Sequence, residues 1–223
     1  TISRLFLPDG WFPDLDSLIT TAKSFEVLAP AAPIPALRCL ESILTASSEE
    51  ELKIRVVGDA RRTLVWVLED LALRSATFEG AAKLLLVLAG AENETYGNNA
   101  EGVFTSLFHW EHPEVPASLA SRLHVLREGA KSASPTQRKI IATACGEAFK
   151  NVVIMHHHAK GSAIPERPYR PETWEEGRRN ATDIFALLNT LSNDQDAEVR
   201  KEAVNESLDS FRTFVKISLT SEG

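Results

Sequence analysis

The sequence predicts an all-α protein of stacked antiparallel helical pairs, and three observations carry that expectation. Apolar residues recur at helical spacing in segment after segment of the 223 residues, helix-start signals precede several of those segments, and no stretch shows the strict alternation of a half-buried strand. A single helical pair cannot cover its own apolar faces, so successive pairs must stack. An irregular helical bundle is the alternative arrangement of the same elements.

Asp9-Gly10-Trp11-Phe12-Pro13-Asp14 reads as a turn that delivers two aromatics to one end of the core, followed by a helix from about Asp14 to Leu28. Pro30, Pro33 and Pro35 stop that helix, because proline lacks the amide donor and restricts the residue before it; a second helix is expected from Ala36 to Thr45. Ser47-Ser48-Glu49-Glu50-Glu51 contains overlapping capping boxes. The helix that starts there should run to Arg74 with a break near Gly58, burying Leu64, Leu68 and Leu71. Only Ser75 and Ala76 separate it from the next pattern, Thr77 to Glu92, so these two helices should form a tight antiparallel pair.

Asn93 to Asn99 is a polar turn in which Asn98 or Asn99 can cap a helix bearing Val103, Phe104, Leu107 and Phe108. After Pro113 and Pro116, a helix from Ala117 to Ala130 carries Leu119, Leu123 and Leu126. Ser134-Pro135-Thr136-Gln137 combines an N-cap serine, proline at the first helical position and a capping glutamine, and predicts a helix reaching Val153. From His156 to Pro171 the periodicity disappears, and Pro165, Pro168 and Pro171 mark a long loop. Helicity resumes near Glu172 with Ile184, Leu187, Leu188 and Leu191, where Glu175 can pair with Arg178 or Arg179. The last helix, from Ala197, carries Val199, Ala203, Leu208, Phe211 and Val215.

Lys plus Arg total 24 against 31 for Asp plus Glu, and the resulting charge of -7 argues against a nucleic-acid partner. Cys39 and Cys145 lie inside apolar helical patterns with no CxxC spacing, which predicts buried free thiols and a cytoplasmic setting. The longest nearly apolar stretch, Ala81 to Ala91, is interrupted by Lys83 and falls well short of the roughly 20 residues a membrane span needs. No membrane contact is predicted. The chain opens on Thr1 with an apolar patch too short for a signal peptide, which suggests a piece of a larger protein forming one helical domain.

Chemistry has few local signals. His156, His157 and His158 are adjacent, so their side chains diverge, and His109 and His112 sit beside Pro113 without an HExxH or Glu-x-x-His motif. Glu92, Glu94, Tyr96, Asn98 and Asn99 gather carboxylates and amides at one helix connection, where capping competes with ligand or cation binding. Nucleophile-elbow and phosphate-loop motifs are missing, so no catalytic residue, metal or cofactor is assigned. The best candidate surface is the long loop. Lys160, Arg167, Tyr169 and Arg170 form a basic, partly aromatic strip on an acidic chain, suited to an acidic protein partner. An interaction scaffold is therefore the leading expectation, with a metal-dependent enzyme using His residues, Glu92 and Glu94 as the alternative. A sensor whose ligand rearranges the helical pairs is the third.

Asp194-Gln195-Asp196-Ala197-Glu198-Val199-Arg200-Lys201-Glu202-Ala203-Val204 resembles the start of the second helix of HEAT-type repeats, in which an aspartate precedes V-R-x-x-A. The resemblance implies that Asp196 caps the helix, Val199 and Ala203 pack inward, and Arg200 can bond a neighbouring turn. Ser134 to Arg138 looks like a degenerate copy that departs at Gln137, where that family prefers an aliphatic residue. It implies a HEAT-like α-solenoid. More distantly, Leu68 to Ala72 and Gly97 to Phe104 are similar to helical regions of large bacterial nucleotidase-type signalling and defence proteins. That likeness implies an arm or sensor region, and the G-x-x-x-x-G-K-[ST] signature of a nucleotide site is absent from this chain.

Overall fold

The computed structural model describes residues 1–95, 99–110, 112–150 and 166–220, with side chains through residue 213. The described residues are all-α: α1 (Leu15–Thr20), α2 (Ala22–Leu28), α3 (Pro33–Leu44), α4 (Glu49–Arg55), α5 (Gly58–Ala72), α6 (Phe78–Gly90), α7 (Ala100–Ser106), α8 (Leu119–Gly129), α9 (Pro135–Glu147), α10 (Trp174–Leu191) and α11 (Ala197–Thr220). No strand occurs among them.

Caps explain most of the boundaries. Side-chain oxygens of Asp14, Ser48, Asn99, Ser118, Ser134 and Thr173 each accept a backbone N–H of the first turn that follows, satisfying donors with no intrahelical partner. Asp196 does the same for Glu198 and Val199, at 2.9 and 3.2 Å. The break near Gly58 falls at Val56 and Val57, and Gly58 itself has a φ of 58°, a left-handed backbone that suits a residue without Cβ.

Four local expectations are corrected. The helix over Asp14 to Leu28 is two short helices, interrupted at Thr21, whose hydroxyl donates to the Ser17 carbonyl at 2.5 Å. The prolines do not delay α3 to Ala36: Pro33 and Pro35 lie in its first turn, where no amide donor is needed. α9 ends at Glu147, and Ala148 to Lys150 turn back on it through Phe149 N–H and Lys150 N–H. Of the two aromatics in the first turn, only Phe12 enters the core, stacking with Phe6 and meeting Phe25 edge-on, while Trp11 is 62% exposed.

The helices pack in two rows. In one, α3 lies against α6, α6 against α8, and α8 against α10; in the other, α2 lies against α5, α5 against α7, α7 against α9, and α9 against α11. Pairs such as α5 with α6, α6 with α7 and α10 with α11 join the rows. The apolar stripes meet between them: Leu64, Leu68, Leu71, Leu85, Phe104, Ile141, Leu188, Val199 and Ala203 are all inaccessible to solvent. One contiguous core runs from Phe6 to Ala203.

Connections therefore alternate between two edges of the array. The first edge carries the turns that lead into α5, α7, α9 and α11. The second carries the turn after α5 and the described residues just before α8 and α10, where Glu166 meets Ser75 and Tyr169 meets Val115.

Candidate functional site

An arginine stands four residues after the N-cap in α5, α8, α9 and α11, and in each case its guanidinium turns back onto carbonyls of the turn that precedes its own helix. Arg138 donates to the carbonyls of Ser132 and Ala133 at 2.8 and 3.2 Å, and Arg200 to those of Asp194 and Gln195 at 2.8 and 2.9 Å. Arg61 reaches Val56 C=O, and Arg122 reaches Val115 and Ala117 C=O. A planar fork of five donors is suited to bridging successive carbonyls in this way.

On the first edge the same arginines also tie one unit to the next. Arg138 Nε and Nη2 grip both oxygens of Asp194 at 2.7 and 2.9 Å, holding the Asp194 carboxyl below its usual range. Arg61, fully buried, donates to Glu92 Oε1 at 2.9 Å and to Leu88 C=O at 2.5 Å. Glu92 also accepts the N–H groups of Asn93, Glu94 and Ala100, and Glu94 Oε1 accepts Gly58 N–H at the start of α5. The acidic connection is thus occupied by capping and inter-turn bonding. Asn99 caps α7; Tyr96 and Asn98 lie outside the described residues.

The second edge centres on a buried arginine held by backbone carbonyls, with two buried imidazoles beside it. Arg122 is 2% exposed, and the carbonyls of His109, Val115 and Ala117 receive its protons at 2.7 to 3.1 Å. Burial pushes its guanidinium down to about 10. His109 and His112 are both buried but serve different backbones. His109 Nδ1–H donates to Glu147 C=O at 2.7 Å, while His112 Nδ1 accepts the N–H groups of Glu114 and Val115 at 3.1 Å. Burial lowers the His109 imidazole below its ordinary value. His156, His157 and His158 lie outside the described residues, among which no group of three or more His, Cys, Asp or Glu side chains is placed to hold a metal ion. Both cysteines are free and buried, and burial raises both thiols, Cys39 to about 11.

Across this second edge lies the described part of the basic strip. Glu166 accepts Ser75 N–H at 3.1 Å and Ser75 Oγ–H at 2.5 Å, fixing one end to the turn between α5 and α6. Tyr169 N–H donates at 3.0 Å to the Val115 carbonyl that also receives Arg122, and its hydroxyl bonds Glu176 on α10. Burial, together with Glu176, pushes the Tyr169 phenol up to about 12. Arg167 and Arg170 stay exposed and form no ion pair among the described residues; Trp174, 59% exposed, is the first residue of α10. Lys160 lies outside the described residues.

The sequence reading placed Arg167, Tyr169 and Arg170 on one strip but missed Ser75, Val115 and Arg122 beneath it. Ser118 followed four residues later by Arg122 repeats the Ser134 and Arg138 spacing and could have revealed that arginine. Nothing local marks the contacts to Ser75 and Val115. Comparison with protein-family models, curated proteins and solved structures gives no match for this chain.

Proposed function

We propose that this chain is a HEAT-like α-solenoid that acts as a protein-interaction scaffold without catalysis of its own, and that Arg167, Tyr169 and Arg170 belong to its partner-binding surface. The observation that carries the reading is the pinned strip. An extended segment held at Glu166 and Tyr169 keeps two guanidiniums and the Trp174 ring in solvent, so little ordering entropy remains to be lost on binding. Exposed arginine and tryptophan are residue types of interface anchors, and an acidic segment is the complementary partner. The paired rows of helices and the repeated cap-and-arginine turns support the solenoid part of the proposal. Two buried free thiols favour a cytoplasmic setting. The likeness to bacterial signalling proteins suggests a sensor arm as its context.

The test compares affinity capture by the native chain and by an Arg167→Ala/Arg170→Ala variant that leaves Tyr169 and the pinning bonds in place. A partner retained by the native chain, lost by the variant and released as salt rises through about 0.3 M supports the assignment. Equal capture by both forms removes the strip from the interface, and no partner at all removes the scaffold reading.

A further inference from the structure

α9 and α11 begin alike and end differently. Each has an oxygen cap, Ser134 or Asp196, and each has an arginine four residues later that bonds the carbonyls of its own turn. The positions of α9 that follow are covered: Ala142 and Gly146 are buried, with Glu206 of α11 lying over Gly146. Arg138 meets Asp194, Thr143 donates to Glu202 at 3.1 Å and Gly146 faces Glu206, so α9 and α11 run parallel with their turns aligned. At the same distances from its cap, α11 presents Val204 and Leu208, and three residues further on Phe211, which are 45%, 56% and 61% exposed. They follow the spacing of one helical face.

The arginines repeat this contrast. Arg61 and Arg138 are buried, and each takes a carboxylate from the turn of the unit that follows, Glu92 and Asp194. Arg200 is exposed and forms no ion pair among the described residues. We infer that the outward face of α11 is a docking surface for an amphipathic helix that lies parallel to it and has a carboxylate in the turn leading into it. The apolar side of that helix covers Val204, Leu208 and Phe211, and its carboxylate meets Arg200 as Asp194 meets Arg138. A second copy of α11 is a poorer occupant. In an antiparallel self-pairing that brings the apolar side chains together, Arg200 gains no carboxylate.

The inference rests on the stacked-pair reading and not on the strip, so loss of the strip's partner leaves it standing. The probe is a fluorescent synthetic peptide of about 20 residues, with aspartate two residues before a serine cap, leucines on one helical face and glutamate, lysine and alanine elsewhere. Anisotropy is expected to show saturable binding that Leu208→Asp abolishes. Arg200→Gln in the protein, or asparagine for the peptide's aspartate, should weaken binding about tenfold, with no further loss when both changes are combined. Both protein substitutions are at exposed positions, and unchanged melting temperatures establish that the fold is intact. Equal binding of a scrambled peptide, indifference to Leu208→Asp, or no binding at roughly 1 mM peptide overturns the proposal. So does sedimentation showing a dimer that Leu208→Asp dissociates, because the face is then covered by a second copy.

Discussion

The two edges of the helical array solve one problem, joining successive pairs, with different chemistry. On the first edge, Arg61 with Glu92 and Arg138 with Asp194 couple a buried cation to a carboxylate of the next turn. On the second edge, Arg122 is as deeply buried but bonded to carbonyls alone, and His109 and His112 bond backbone groups, with the Glu147 carboxylate 3.7 Å from His109 Nε2. An ion pair is most sensitive to loss of one partner, because the remaining buried charge is left uncompensated. A cation held by neutral dipoles leaves behind only unsatisfied carbonyls. The first edge should therefore respond most strongly to substitution, and the second should be free to vary and to display a surface.

Arg61→Ala should have the largest effect, about 3–5 kcal/mol of stability in urea unfolding. It removes the cation that faces Glu92, which keeps only its backbone N–H groups, takes the donors from the buried Val56 and Leu88 carbonyls, and empties a fully buried site. A loss below about 1 kcal/mol breaks the comparison. Arg138→Ala should cost less, about 2–3 kcal/mol, because the Ser132 and Ala133 carbonyls it leaves are only partly buried, whereas those that Arg61 serves are buried. Its effect should also depend on pH. Hydrogen bonding to Arg138 holds Asp194 below its usual range in the fold, so the stabilisation is fully present above the unfolded value of about 4 and disappears as pH falls through the lower folded value. The stability difference between native and Arg138→Ala proteins should shrink in that acidic window.

The same division governs how much could be read in advance. First-edge signals are local: Asn99, Ser134 and Asp196 sit where a cap must, and Arg138 and Arg200 follow their caps at fixed spacing. The helices, their order and most of the buried stripe were therefore legible. Arg61 was hidden because Val57, at its cap position, has no side-chain acceptor. Second-edge contacts join residues far apart in sequence. Tyr169 meets Val115 through backbone groups that every residue has, and no side-chain pattern announces that pairing. Arg167 and Arg170 were visible as a basic strip, but the fixed platform beneath them was not.

Arg122→Met sharpens the comparison at the second edge. Methionine keeps much of the apolar stem, removes a cation that burial pushes down to about 10, and leaves no buried carboxylate behind. The carbonyls of His109, Val115 and Ala117 lose a donor, so a cost of about 1–2 kcal/mol is expected by urea unfolding. A cost equal to that of Arg61→Ala would mean that the carbonyls, and not the ion pair, set the sensitivity of both edges.

The smallest effect should come from Gly146→Ala, at the end of α9 nearest the second edge. A Cβ built there lies 1.7 Å from Glu206 Oε2, which looks prohibitive until the neighbour is considered. That atom is the tip of a flexible side chain whose nearest cation, Lys150, is 4.0 Å away and also engages Glu147 at 2.7 Å. Turning Glu206 outward relieves burial that raises its carboxyl, while alanine gains about 1 kcal/mol of helix propensity over glycine. The Glu206 Cβ, at 3.1 Å, has to shift only slightly. Stability should remain within about 1 kcal/mol of the native chain. A loss well beyond that would show that Glu206 is held by the α9–α11 packing, making this junction as exacting as the arginine edge.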